Sequence, residues 1–194
     1  MKDVTRYHPL LVLLHWVLAF LIGGALLFGA VVLAPMSSVN PAKMEGLRTH
    51  MGAGLAILTL MGVRLAVRRR TSHPPAASAG SPVLDRLARL SHQALYIAIF
   101  AQAISGLIMA LQARLLQIVF GAGGRLPTTL WVYPLRYVHF GVSRLLMALI
   151  ALHLAGALYH TFVRRDRLLH RMALGRRTRT TAAPQAAPTV EVRS

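Results

Sequence analysis

Four long apolar runs, separated by stretches rich in Arg, Pro and Gly, set the pattern of this chain. They cover about residues 9–34, 51–67, 90–111 and 137–163. Each reaches the roughly 17–25 residues that a helix needs to cross about 30 Å of hydrocarbon. The pattern predicts an all-α membrane protein built as a four-transmembrane-helix bundle. The first run is too long for the apolar core of a secretory signal, and no clear small-residue cleavage site follows it. It also carries His15, which a disposable segment does not need.

The connections set the expected topology. Basic residues gather at the N-terminus (Lys2, Arg6), in the second connection (Arg64, Arg68, Arg69, Arg70, Arg86, Arg89) and after the fourth run (Arg164, Arg165, Arg167, Arg171, Arg176, Arg177, Arg179, Arg193). The first connection has only Lys43 and Arg48, and the third only Arg114, Arg125 and Arg136. By the positive-inside rule both termini are expected to be cytoplasmic. Residues 71–82 read as a flexible Pro-, Ala- and Ser-rich loop. Residues 115–134, apolar but broken by GAGG, Pro127 and Pro134, read as a short interfacial helix and loop, with Trp131 and Tyr133 at the membrane surface. The domain is expected to span 1–175, with 176–194 a disordered basic, Ala/Pro-rich tail.

Composition narrows the chemistry. The chain has 194 residues, no cysteine, 55% hydrophobic and 14% charged residues, and 22 Lys and Arg against five acids, for a net charge of +17. On a soluble chain that charge would suggest nucleic acid; here it flanks apolar runs and suits anionic lipid head groups, so nucleic acid is not an expected partner. Without cysteine there is no disulfide, c-type haem attachment, Cys-ligated iron–sulfur cluster or thiolate zinc site. Histidines remain as candidate metal ligands.

His139 and His153 are fourteen residues apart in one apolar run, VHFGVSRLLMALIALHLAGALYH. On a helix that leaves them about 40° apart around the axis and roughly 21 Å apart along it. His15, about nine residues into the first span, matches the depth of His153. His50, at the outer start of the second, matches His139. Two pairs follow, His15 with His153 on the inner half and His50 with His139 on the outer. They fit two stacked haems, each iron held by two imidazoles. Plain interhelical hydrogen bonding is the competing explanation; zinc fits poorly, since the two levels are too far apart for one ion. Gly23, Gly24, Gly29, Gly52, Gly54, Gly141 and Gly156 dot the same helices, where small residues admit a flat macrocycle or close helix packing. His160, seven residues past His153, is a candidate to meet a haem propionate or a quinone. His92, at the inner start of the third span, is a further candidate. His8, His73 and His170 fall in exposed segments. Arg144 needs an anionic partner, such as a propionate or an anionic substrate, or a snorkelling route to water.

These residues carry a resemblance. LHW around His15, THMGAGL around His50, GVRLAVR, SHQALY and HLAGALYHTFVRRDRLLHRM resemble the bacterial cytochrome b561 family of four-helix di-haem membrane cytochromes. The resemblance implies two haem b groups ligated by His15, His50, His139 and His153, with ubiquinone as diffusible acceptor. In the best-understood relatives the activity is superoxide oxidase, so it also implies an oxidoreductase that takes electrons from superoxide. Arg125, Arg136 and Arg144 are then candidates to steer that anion to the outer haem. Two other readings stay open here. One is a haem-bearing anchor subunit that passes electrons between a docked redox partner protein and quinone. The other, of a different class, is a non-redox membrane carrier, although no inverted repeat is evident.

Overall fold

Proline opens three of the four long helices. A computed structural model of the chain describes residues 3–4, 6–75, 80–121, 123–166, 172 and 179–180. Helix α1 covers Pro9–Leu27, α2 Ala42–Arg70, α3 Pro82–Gln112, the short α4 Leu115–Phe120, and α5 Pro134–Leu158. Pro9, Pro82 and Pro134 each fill a first-turn position, where the missing N–H costs nothing and φ is already helical. Ser81 caps α3 by accepting from Leu84 N at 3.2 Å, and His8 Nδ1 accepts from Leu10 N at 3.3 Å before α1. Arg68, Arg69 and Arg70 close α2 against its negative dipole end.

Two helices run on in a wider winding. Phe28–Leu33 extends α1 and Tyr159–Val163 extends α5 with i→i−5 bonds, seen in Ala34 N→Gly29 O at 2.9 Å and Arg164 N→Tyr159 O at 3.0 Å. Such π-turns often mark functional sites. With these extensions, four helices are long and apolar enough to cross a membrane, as the apolar runs predict: 9–33, 42–70, 82–112 and 134–163. Large apolar side chains point outward, among them Phe20, Ile97 and Phe162, each at least 70% exposed. A surface of that kind suits lipid.

The helix limits differ from the sequence expectation in one direction. Helix α2 starts at Ala42 rather than at residue 51, and α3 at Pro82 rather than 90. Polar residues (Lys43, Glu45, Arg48; Asp85, Arg86, Arg89) extend each helix beyond its apolar part, where hydropathy is blind. His50 therefore lies two turns inside α2, and His92 nearly three turns inside α3. The expected helix after residue 114 is present as α4; Arg114, with a left-handed φ of 54°, turns the chain into it. The expected disordered tail lies outside the described residues, apart from Arg179–Thr180, which pairs antiparallel with Asp3–Val4.

Packing is uneven. Helix α3 packs most extensively on α5, α1 on α2, and α2 on α3; among the long helices α5 packs closely only on α3. Separations are thus left between α5 and both α1 and α2. One core layer joins Leu18, Ile22, Ile57, Met61, Ala98 and Leu146 from all four long helices. A second joins Leu33, Leu47, Ala110, Ala113, Leu115 and Val119, so that α4 folds over the end away from the termini. Arg48 pins that cover, donating from Nε (3.2 Å) and Nη2 (2.9 Å) to Val119 O.

Candidate functional site: two histidine tiers

The two separations around α5 are where the histidines meet. His15 on α1 faces His153 on α5 with ring centroids 6.3 Å apart and planes at 72°. His50 on α2 faces His139 on α5, also at 6.3 Å, with planes at 82°. The first pair forms a near tier, beside the start of α1 and the end of α5; the second forms a far tier. An imidazole nitrogen bonds a transition metal at about 2.0–2.1 Å, with its ring centre about 1 Å further back. Two rings on opposite sides of one ion therefore have centres about 6 Å apart. Both tiers match that spacing.

The four rings differ in their hydrogen bonding. His15 and His153 make no hydrogen bond among the described residues, and the buried His50 Nδ1 has no partner. Imidazoles that bridge helices would be bonded, because an unmet polar group in hydrocarbon is costly. His139 is the exception. Its Nδ1–H donates to Gln102 O at 3.1 Å, beside Ser105 Oγ at 3.2 Å, which leaves Nε2 as the basic nitrogen. The Gln102 side-chain nitrogen sits 3.0 Å from that Nε2, and its buried Oε1 has no partner.

Missing side chains seat the far rings. A Cβ on Gly106 would stand 2.9 Å from His139 Cε1, and one on Gly29 3.0 Å from His50 Cε1. Of the glycines that the sequence singles out, Gly29 alone abuts a ring. Gly23, Gly24, Gly52, Gly54, Gly141 and Gly156 have nothing within 4 Å of where a Cβ would stand. A cavity of about 360 Å³ opens at this tier. It is lined by His50, His139, Gly29, Gly106 and Gln102, and by the bases Lys43, Arg136 and Arg144. The Arg136 guanidinium lies 4.5 Å from the Trp131 ring centroid, and the exposed Arg144 lies 4.9 Å from that of Phe140. Arg125 is exposed in the loop and is not among the lining residues.

The other candidates stand at the near tier or beyond it. The His92 ring is 5.2 Å from that of His153, and its Nδ1 is 2.7 Å from Ala88 O. His160 is buried in the second π-turn, with Nδ1 2.6 Å from Asp166 Oδ2. Trp16, next to His15, donates from Nε1 to Met172 O at 3.0 Å, tying the chain after α5 back to α1. Gln102, Ser105 and Gly106 escape the sequence reading. Their signal was available: two polar residues and a glycine at i, i+3 and i+4 on one face of an apolar helix.

The described structure places histidines in facing pairs at two depths of a bundle of four helices long and apolar enough to cross a membrane. The chain belongs to the prokaryotic cytochrome b561 family, whose model matches residues 6–175. A probable superoxide oxidase CybB of Yersinia pestis is similar to it, 29% identical over 178 residues, covering 86% of this chain and 95% of the relative. Membership makes the chain a membrane electron-transfer protein, for which b-type haem is the expected cofactor.

Proposed function

We propose that the chain is a superoxide:ubiquinone oxidoreductase of the bacterial inner membrane, with both termini in the cytoplasm. In this reading His15 and His153 ligate one haem b, His50 and His139 a second. The observation that carries it is the pair of 6.3 Å ring separations, each spanning helices that do not pack closely on one another. The name of the Yersinia pestis relative supports the substrate.

When bound, b-type haem supplies a one-electron carrier at each tier. The protein supplies ligands, orientation and field. Gln102 O holds His139 in the tautomer that presents Nε2. Arg136 and Arg144 on the far cavity, with Arg125 in the adjoining loop, attract an anion from the outer side. Arg48 and α4 limit access from above. Two superoxide ions each give up one electron and leave as dioxygen; ubiquinone takes both electrons and two protons to become ubiquinol. His160, with Asp166 on its Nδ1, and His92 beside His153 are the near-side groups able to meet the quinone or a propionate.

The test is an oxidised and a dithionite-reduced optical spectrum of the purified chain, with haem quantified. Two b-type haems per chain are expected, and reduction by superoxide followed by reoxidation by ubiquinone. A colourless protein, or one inert to superoxide, overturns the reading in whole or in its substrate.

A further inference from the structure

We infer that Arg64 is the anchor for the carboxylates of the near-tier cofactor, an inference that rests on the two-haem reading above. Arg64 lies in the α2 span, half-buried, and three helices hold it. Its Nε donates to Tyr96 Oη on α3 at 3.0 Å, and its Nη1 to Leu11 O on α1 at 2.7 Å. Both partners are neutral. Among the described residues no carboxylate pairs with it, and both Nη2 donors are unengaged.

A cation fixed inside a membrane span without an anion is expensive. Arg68, Arg69 and Arg70, further along the same helix, are exposed and reach water. Arg64 is turned inward instead: Leu11 O is one helical turn before His15, and Tyr96 one turn after His92, whose ring lies 5.2 Å from that of His153. The missing anion therefore belongs beside the near tier. A b-type haem carries carboxylates on one edge, and the planar guanidinium fork matches a carboxylate in two parallel bonds. Tyr96 and Leu11 O fix the fork before the ligand arrives, so little side-chain entropy is lost on binding. A lipid phosphate is the other source of such an anion, and the experiment separates the two.

The apo chain in nanodiscs, with and without phosphatidylglycerol, is titrated with iron protoporphyrin IX and with its dimethyl ester. The near step is identified as the one lost in His15→Ala. Esterification should weaken that step about tenfold or more. In Arg64→Gln the ester and the free acid should bind there within about twofold of each other, while Arg64→Lys keeps part of the preference. Equal discrimination in Arg64→Gln and the parent chain overturns the inference. Should Arg64→Gln fail to fold, absence of discrimination at the parent chain's near step overturns it equally. A near step indifferent to the ester but dependent on phosphatidylglycerol assigns Arg64 to lipid, which also overturns it. If the parent chain takes up no iron porphyrin, or His15→Ala keeps both, the two-haem reading itself has failed. Two-step loading without ester discrimination defeats the role of Arg64 alone.

Discussion

Gln102 meets His139 twice: its backbone oxygen accepts from Nδ1 at 3.1 Å, while its side-chain nitrogen stands 3.0 Å from Nε2. In the proposed ligand role, the first contact would orient His139 and the second would occupy the lone pair that a metal needs. Replacing the amide should therefore free the ligand without misaiming it. Gln102→Leu is expected to keep two haems and to load the far one several-fold more tightly in a haem titration of the apo protein. Loss of the far haem in this variant would mean that the amide supports the ring rather than competing for it.

The pairing across helices gives a second expectation. His15→Ala and His153→Ala should each lose the same haem, and His50→Ala and His139→Ala the other. The double variant His15→Ala/His153→Ala should lose no more than either single one, because the two act as a unit. Pyridine haemochrome quantification with low-temperature spectra distinguishes the two sites. Two near-tier variants that lose different haems would break the proposed pairing.

Glycines provide a third. Gly106→Ala puts a methyl group 2.9 Å from His139 Cε1, so the ring must tilt. Overpacking of this kind typically costs about 1–3 kcal/mol. The expected result is an altered low-spin electron paramagnetic resonance signal from the far haem and an unchanged near signal. Gly141→Ala, which meets nothing within 4 Å, should alter neither. Identical spectra for Gly106→Ala and the parent chain would show that the ring tolerates the methyl group.

Charge near the far cavity gives a fourth. Replacing Arg125, Arg136 and Arg144 together by Gln should slow superoxide-driven reduction by roughly tenfold or more at low ionic strength and flatten its dependence on salt. Stopped-flow rates across a salt series measure both. Arg125→Gln alone should matter least, since Arg125 does not line the cavity. An unchanged rate and salt response in the triple variant would remove the steering role.

Much of this was legible in the chain because a lipid solvent imposes simple rules. An apolar run of sufficient length must be a helix, and an imidazole within it needs a reason. Helix ends outside the apolar zone were not legible: Lys43, Glu45 and Arg48 obey capping and tertiary contacts, not hydropathy. The depths of His15, His50, His139 and His153 could be estimated from rise per residue. The contacts of Gln102, Arg64 and Trp16 could not, because each depends on how neighbouring helices rotate against one another. Gly29 looks in the sequence like any other small residue of α1, and its 3.0 Å approach to His50 Cε1 is a contact between two helices that no residue pattern announces.

Leu146 lies midway between His139 and His153, 1% exposed, in a layer with Leu18, Ile22, Ile57, Met61 and Ala98. The six side chains of that layer are aliphatic or thioether, and the Tyr96 hydroxyl packed against it is engaged by Arg64 Nε at 3.0 Å. Electrons tunnel through aliphatic matter; protons do not. Under the proposed function, with haem at both tiers and the termini cytoplasmic, this hydrocarbon gasket would make turnover a net movement of negative charge toward the cytoplasm. Work is then done against or with the membrane voltage, about 2.3 kcal/mol per electron for each 100 mV crossed in full. The rate of such a protein would respond to the energised state of the cell that houses it.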